Sequence, residues 1–223
     1  KNAKGEYIAF FDDDDTSDKN RLHLQYLNLK IYKNFHKIDK PIFCYSKTKK
    51  KFNNKNSIIF YPPGLEISKN IVSGKKVAEF LLTGNQKKFY SGYYVTCSLM
   101  AKTKDFIYCN GFDDKFRRCE DTEFAIISSL KDSHFIGVNK ILVFQNMSYK
   151  KYKTHSIELD YILKIFEKNI NLFKSKKEYK FEIFWNILKY KILEKNFLNA
   201  TIIFLKLFRM DLIHLVKKLF LIS

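Results

Sequence analysis

The 223-residue chain, 46% hydrophobic, is long enough to bury one sizeable core and carry an appended subdomain. Its formal net charge of +18 points toward nucleic acid, but of 41 basic residues only Arg21, Arg117, Arg118 and Arg209 are arginine. Base-edge and bidentate phosphate recognition favour the arginine fork, so nucleic acid is set aside as a partner.

The excess of Lys, Asn, Ile, Phe and Tyr matches AT-rich coding, which makes the charge partly compositional. What remains functional in it fits anionic lipid or phosphorylated substrates. Cys44, Cys97, Cys109 and Cys119 show no CxxC or metal-ligand spacing and read as buried thiols in a reducing cytoplasm. The chain starts at Lys1 and runs almost at once into an apolar segment. That start predicts a fragment lacking an N-terminal part; no secretory signal is visible.

The run Tyr7 to Phe11 has the length and make-up of a buried strand, and Asp12, Asp13, Asp14 and Asp15 follow it directly. Four carboxylates at a strand's C-terminal end lie where α/β proteins bind ligands. Unit charges 4 Å apart repel by about 1 kcal/mol in water and about 4 at an effective dielectric of 20. Such a cluster needs full solvation or a divalent cation, and hard oxygen ligands suit Mg2+ or Mn2+.

Thr16-Ser17-Asp18 offers caps for a helix carrying Leu22, Leu27, Leu29 and Ile31. Pro41 to Ser46 reads as a strand, Lys47 to Asn56 as a polar connector, and Ser57 to Tyr61 as a strand stopped by Pro62-Pro63-Gly64. A short helix is predicted over Lys75 to Leu82, a strand over Tyr93 to Ala101 and a helical turn over Lys104 to Tyr108. Asn110-Gly111 marks a turn; Glu120 to Leu130 reads as helix, Phe135 to Val138 and Ile141 to Phe144 as short strands.

From about Lys150 the pattern is helical, with further helices over Tyr179 to Leu193 and Phe197 to Leu221. The last is interrupted by charges and spans a bilayer poorly. Packing on its own domain is preferred over lying on a membrane as a basic amphipathic helix.

A second acidic group follows Gly111-Phe112-Asp113-Asp114: Arg117-Arg118-Cys119-Glu120-Asp121-Thr122-Glu123. Acids in a helix's first turn are stabilised by the helix dipole and need no catalytic purpose. Taken with the aspartate run, however, the pair resembles family 2 glycosyltransferases of the GT-A fold. Gly5-Glu6-Tyr7-Ile8 through Asp15 is similar to that family's strand and Asp-x-Asp-Asp motif. Gly111 to Asp114 and Glu120-Asp121 are similar to its acceptor-side motifs, in the same order. Asn110 replaces a frequent glycine, and no Gln-x-x-Arg-Trp motif follows, which argues against a processive synthase.

The resemblance, over roughly Lys1 to Phe144, implies an α/β, Rossmann-like mixed sheet flanked by helices, lacking its first strands, with a C-terminal helical extension. Residues 1–146 would form the metal- and acceptor-binding part and 147–223 the extension. It implies an inverting, metal-dependent transfer from a nucleotide-sugar donor to a hydroxyl of a cell-surface polysaccharide or lipid-linked saccharide. The work would be done in the cytoplasm or peripherally at the inner membrane face. Residues i and i+2 of a strand point the same way, so Asp12 and Asp14 would hold Mn2+ or Mg2+. Asp15 would accept from the ligand, and Asp121 would act as base with Glu120 beside it.

His155 reads as a solvated surface residue, and Tyr90, Tyr93 and Tyr94 as packing residues that also have the chemistry to stack on sugars. The fragment alone is expected to be inactive. Two rivals remain open. A sugar-nucleotidyltransferase would need a Gly-rich phosphate loop, which this sequence does not contain. A basic membrane- or nucleic-acid-associating domain would bind in a salt-sensitive way without turnover.

Overall fold

The computed structural model describes residues 2–52, 56–65, 71–84, 92–147 and 155–222. Its centre is a six-stranded mixed sheet in the order β1 (Tyr7–Ala9), β5 (Met100–Lys102), β3 (Ile42–Phe52), β6 (His134–Met147), β2 (Thr16–Ser17), with β4 (Asn56–Phe60) on the far half of β3. β3 and β6 pair in parallel and the other pairs are antiparallel.

The first half of β3, Ile42 to Ser46, is buried on both faces because its alternating side chains meet helical layers on either side. Phe43 and Tyr45 pack with Phe124 of α4 (Glu120–Ser129) and Val77 of α2 (Lys75–Thr83). Ile42 and Cys44 pack with Leu29 and Tyr32 of α1 (Arg21–His36) on the opposite side. Burying a large apolar side chain contributes about 1.5–3 kcal/mol, so these two layers fix the sheet between the helices.

α3 (Thr103–Tyr108) leads into a turn in which Asn110 and Gly111 both take positive φ, 69° and 62°. Asn tolerates the left-handed region better than most residues. At Gly111 a Cβ would also come within 2.9 Å of the Phe106 ring.

The C-terminal helices stack outward from the α2–α4 layer. Ile165 and Phe166 of α5 (His155–Lys168) join Ala78, Leu82 and Ile126 in one cluster. Phe181, Trp185 and Leu188 of α6 (Lys176–Leu193) meet Ala200 and Leu207 of α7 (Phe197–Met210) and Leu215 of α8 (Leu212–Ile222) in another. A buried lysine, paired with Glu182 inside the extension, ties it to the α/β part. The Lys218 ammonium lies 2.7 Å from Glu182 Oε1 and also donates to the Thr83 carbonyl at the end of α2.

Several elements differ from their sequence expectations. β1 ends at Ala9 and is a half-buried edge strand, not a buried one. The Lys-rich segment after Ser46 is strand as far as Phe52, because it pairs with both β4 and β6. The two short strands after Phe135 are one continuous β6, with a bulge where its pairing jumps from Val138 to Ile141. Tyr93 to Ala101 holds a 3-10 turn at Thr96–Ser98 before β5. The last helix is two, broken at Asp211, whose extended backbone and side chain cap α8: Oδ1 accepts the His214 N–H at 2.9 Å. The predicted helical onset near Lys150 lies outside the described residues.

Candidate functional site

β1, β3 and β6 run in the same direction, and the acidic segment leaves the C-terminal end of β1. There Asp12–Asp15 forms a turn closed by the Asp15 N–H donating to the Asp12 carbonyl at 3.3 Å. The premise that Asp12 and Asp14 converge on one strand face therefore does not hold. The turn groups Asp12 with Asp15 and the Cys97 thiol, whose candidate ligand atoms lie within 4.8 Å of one another. Asp13 and Asp14 are exposed and outside this group.

Burial raises the Asp15 carboxyl above its ordinary range; a contact with Gln145 opposes the shift and the Asp12 charge adds to it. Asp15 Oδ2 and Gln145 Oε1 are both buried without a normal hydrogen-bond partner among the described residues. Two carboxylates and an orphaned buried oxygen form a donor set that fits Mg2+ or Mn2+. The Cys97 thiol is pushed up by burial and by the charges of Asp15 and Asp12, and its soft sulfur suits these hard cations less well than the carboxylate oxygens do.

The turn is held from below by Arg21, which is only 1% exposed. Its guanidinium donates to the Phe10 carbonyl at 2.9 Å, to Ser17 Oγ at 3.0 Å and to Gln25 Oε1 at 3.0 Å, and lies 4.4 Å from the Phe11 ring centre. Gln25 Nε2 in turn donates to the carbonyls of Cys44 and Ser98, which connects the clamp to β3 and to the turn before β5. Burial lowers the Arg21 pKa to about 10, with the Asp12 and Asp15 charges acting against the shift. Arg21 stays a cation, and it faces the acids.

The second acidic group divides in two. Glu120 and Asp121 open α4 directly after Cys119, whose left-handed backbone (φ 57°) turns the chain sharply into the helix. Both are half-buried. Burial raises the Asp121 carboxyl, opposed by the Thr122 N–H donating to Oδ1 at 2.6 Å and by the Lys50 charge. Burial also raises Glu120, and the charges of Asp121 and Asp12 raise it further. Asp12 and Glu120, over a hundred residues apart in sequence, therefore lie within electrostatic reach of each other.

Asp113 and Glu123 do other work. Both bind Lys168, at 2.9 and 2.6 Å, and join the loop before α4, through Asp113, and α4 itself, through Glu123, to α5.

Of the aromatic candidates, Tyr94 is buried against Tyr45 and Phe135. Tyr93 is exposed, its ring 4.0 Å from that of Phe60, and its hydroxyl feels the Asp121 charge. Tyr90 lies outside the described residues. His155 is exposed at the start of α5, its ring 6.3 Å from Tyr190. All four cysteines are free; Cys119 is the one not buried.

Sequence reasoning did not find Arg21, Lys50 or Gln145. Arg21 carried a signal, as one of four arginines in a lysine-rich chain, six positions after the last residue of the acidic run; the other two carried none. A cavity of about 860 Å³, lined by Tyr7, Tyr26, Lys30, Lys33, Lys102 and Asp105, opens at the other end of the sheet. It touches none of these acids.

No family model matches this sequence, and no curated protein does. Among solved structures, Staphylococcus aureus TarS residues 1–349 in complex with UDP-GlcNAc is similar at a TM-score of 0.47 and 12% identity, over 85% of this chain and 50% of that one. A second S. aureus TarS structure gives 0.45 and 15%, over 85% of this chain and 29% of that one. The chain thus spans half or less of the TarS chains it resembles, and neither likeness assigns a role to any of its residues.

Proposed function

We propose that this chain carries the metal and acceptor machinery of an inverting glycosyltransferase. The enzyme would move a sugar from a nucleotide-sugar donor to a hydroxyl of a cell-surface polysaccharide or lipid-linked saccharide. One observation carries the reading: the aspartate turn after β1 and the Glu120–Asp121 pair at the start of α4 sit within electrostatic reach at one end of the sheet.

Asp12 and Asp15, with Asp14 on the same turn, would hold Mn2+ or Mg2+. When bound, the cation supplies positive charge to a departing diphosphate. Arg21 keeps the turn in place and contributes a fixed charge behind it.

Asp121 is the base. Its burial makes the carboxylate a better proton acceptor at neutral pH than an exposed aspartate would be. As the acceptor oxygen bonds to the anomeric carbon, its proton passes to Asp121 and the bond from that carbon to the diphosphate oxygen breaks. The configuration inverts in one displacement. Thr122 fixes one carboxylate oxygen through Oδ1, leaving the carboxyl oriented by the first turn of α4. Tyr93 sits where an exposed ring can lie against a sugar face.

The experiment is donor consumption by the full-length protein across UDP-, GDP-, CDP- and dTDP-sugars with Mn2+ or Mg2+, in parallel with Asp121→Asn. Metal-dependent consumption lost in the variant supports the reading. Consumption that persists both in excess chelator and in Asp121→Asn overturns it.

A further inference from the structure

α7 and α8 are apolar on both sides. On α7, Ala200 and Leu207 face the α6 core, yet Leu198, Ile202 and Leu205 on the opposite side are 75, 56 and 52% exposed. On α8, Leu215 faces inward, while Ile213, Val216 and Phe220 are 70, 40 and 75% exposed. Each helix thus carries a second apolar stripe, interrupted by polar and basic residues, in addition to the one packed on α6. Consecutive uncovered apolar faces of this size mark a surface that meets something.

The charges around these faces indicate the partner. Arg209 and Lys217 are exposed beside them, and Lys206, also exposed, has its ammonium 3.9 Å from the centre of the Phe184 ring on α6. Between residues 195 and 222 the one acid is Asp211. It is engaged by Lys177 at 2.8 Å and by the His214 N–H at 2.9 Å. The fringe is therefore cationic with no free negative charge. A second copy of the chain, also at +18, would set this fringe against its like.

No helix among the described residues is long and apolar enough to cross a membrane. At about 1.5 Å per residue, the 14 residues of α7 fall short of a bilayer core of roughly 30 Å.

We infer that the outer faces of α7 and α8 lie on an anionic lipid bilayer, apolar side chains among the acyl chains and lysines at the headgroups. This goes beyond the glycosyl-transfer reading and does not depend on it. A surface so placed would hold the protein where lipid-linked substrates reside.

The test is flotation of the full chain with vesicles of equal phosphatidylglycerol and phosphatidylcholine, against phosphatidylcholine alone. Binding should be at least about tenfold stronger to the anionic vesicles, and part of it should persist at about 0.5 M salt, where surface charge is screened. The triple variant Leu198→Ser, Ile202→Ser, Leu205→Ser should lose about tenfold or more. Lys206→Gln with Arg209→Gln and Lys217→Gln should lose the anionic preference. The single variant Ile213→Ser, with circular dichroism on all variants, separates lost binding from lost folding.

Wild-type protein that fails to bind overturns the inference. If it instead forms a dimer that the triple variant dissociates, the face belongs to a second copy. Binding unchanged in the triple variant also overturns it, since charge alone would then explain adsorption.

Discussion

Arg21 donates from Nη2 to the carbonyl of Phe10 at 2.9 Å, two residues before the first aspartate of the turn. A buried guanidinium thus sets where the acids emerge. Lysine keeps the charge but cannot reach Phe10, Ser17 and Gln25 together. Arg21→Lys should lower stability by about 2–3 kcal/mol, as buried acceptors lose their donor. Urea denaturation checks this, and a midpoint within error of wild type would show the clamp to be incidental.

Asp12→Asn should abolish Mn2+- or Mg2+-stimulated turnover and Mn2+ binding measured by electron paramagnetic resonance. The turn geometry orders the next two variants, with Asp15→Asn more damaging than Asp14→Asn. The reverse order would restore the pairing of Asp12 with Asp14 expected from the sequence.

Asp121→Asn should reduce kcat by about 10²–10⁴-fold with donor affinity near wild type. It should also reveal a stability cost. Because the folded carboxyl is raised by burial, its favourable contribution is complete below the ordinary aspartate value of about 3.9 and is lost as pH rises through the raised folded value. At pH 7 the variant should therefore be more stable than wild type, with the advantage shrinking toward pH 4. Activity should fall on acidification at a pH above that of an exposed aspartate.

Lys218→Ala leaves Glu182 buried beside His214, 3.3 Å away, without its ammonium partner. Breaking one side of a buried pair costs about 3–5 kcal/mol, whereas Lys218→Met with Glu182→Gln should recover most of that. Burial raises Glu182 to about 7, so the stability it contributes when protonated is lost as pH rises toward that value. The loss should be steeper in Lys218→Ala. Denaturant melts of the double-mutant cycle at pH 5 and pH 8 measure both effects.

Most helices and the start of β3 were legible as elements, whereas Thr16 and Ser17, read as helix caps, form the short strand β2 against β6. Phe43 on β3 and Leu29 on α1 sit in the core, but Leu22, Leu27 and Ile31, named with Leu29 from the sequence, are exposed, and Arg21, Gln25 and Tyr32 take the inner face of α1 instead. The second half of β3 was not legible. Lys49, Lys50 and Lys51 are held in the sheet by backbone pairing on both edges, which leaves no hydrophobic signature. The break at Asp211 was hidden for a different reason, since mainly apolar, helix-compatible sequence continues on both sides and only a capping side chain marks the stop.

At the site, the acids were visible as residue types. Their grouping was not, because a four-residue turn changes which carboxylates meet. Cys97 and Gln145 reach Asp15 only through tertiary packing.

The pairing of β3 with β6 also governs how the chain is made. Phe43 and Phe135 are neighbours in the sheet but about ninety residues apart, a separation that slows folding. During synthesis at about 5–20 residues per second, β3 waits several seconds or more for that partner. β4 and β5 emerge earlier and close one of its edges, and α1 can cover one face. The other edge stays open until β6 leaves the ribosome. A nascent chain stalled between Lys102 and His134 would expose a long strand edge, and is the species most in need of a chaperone.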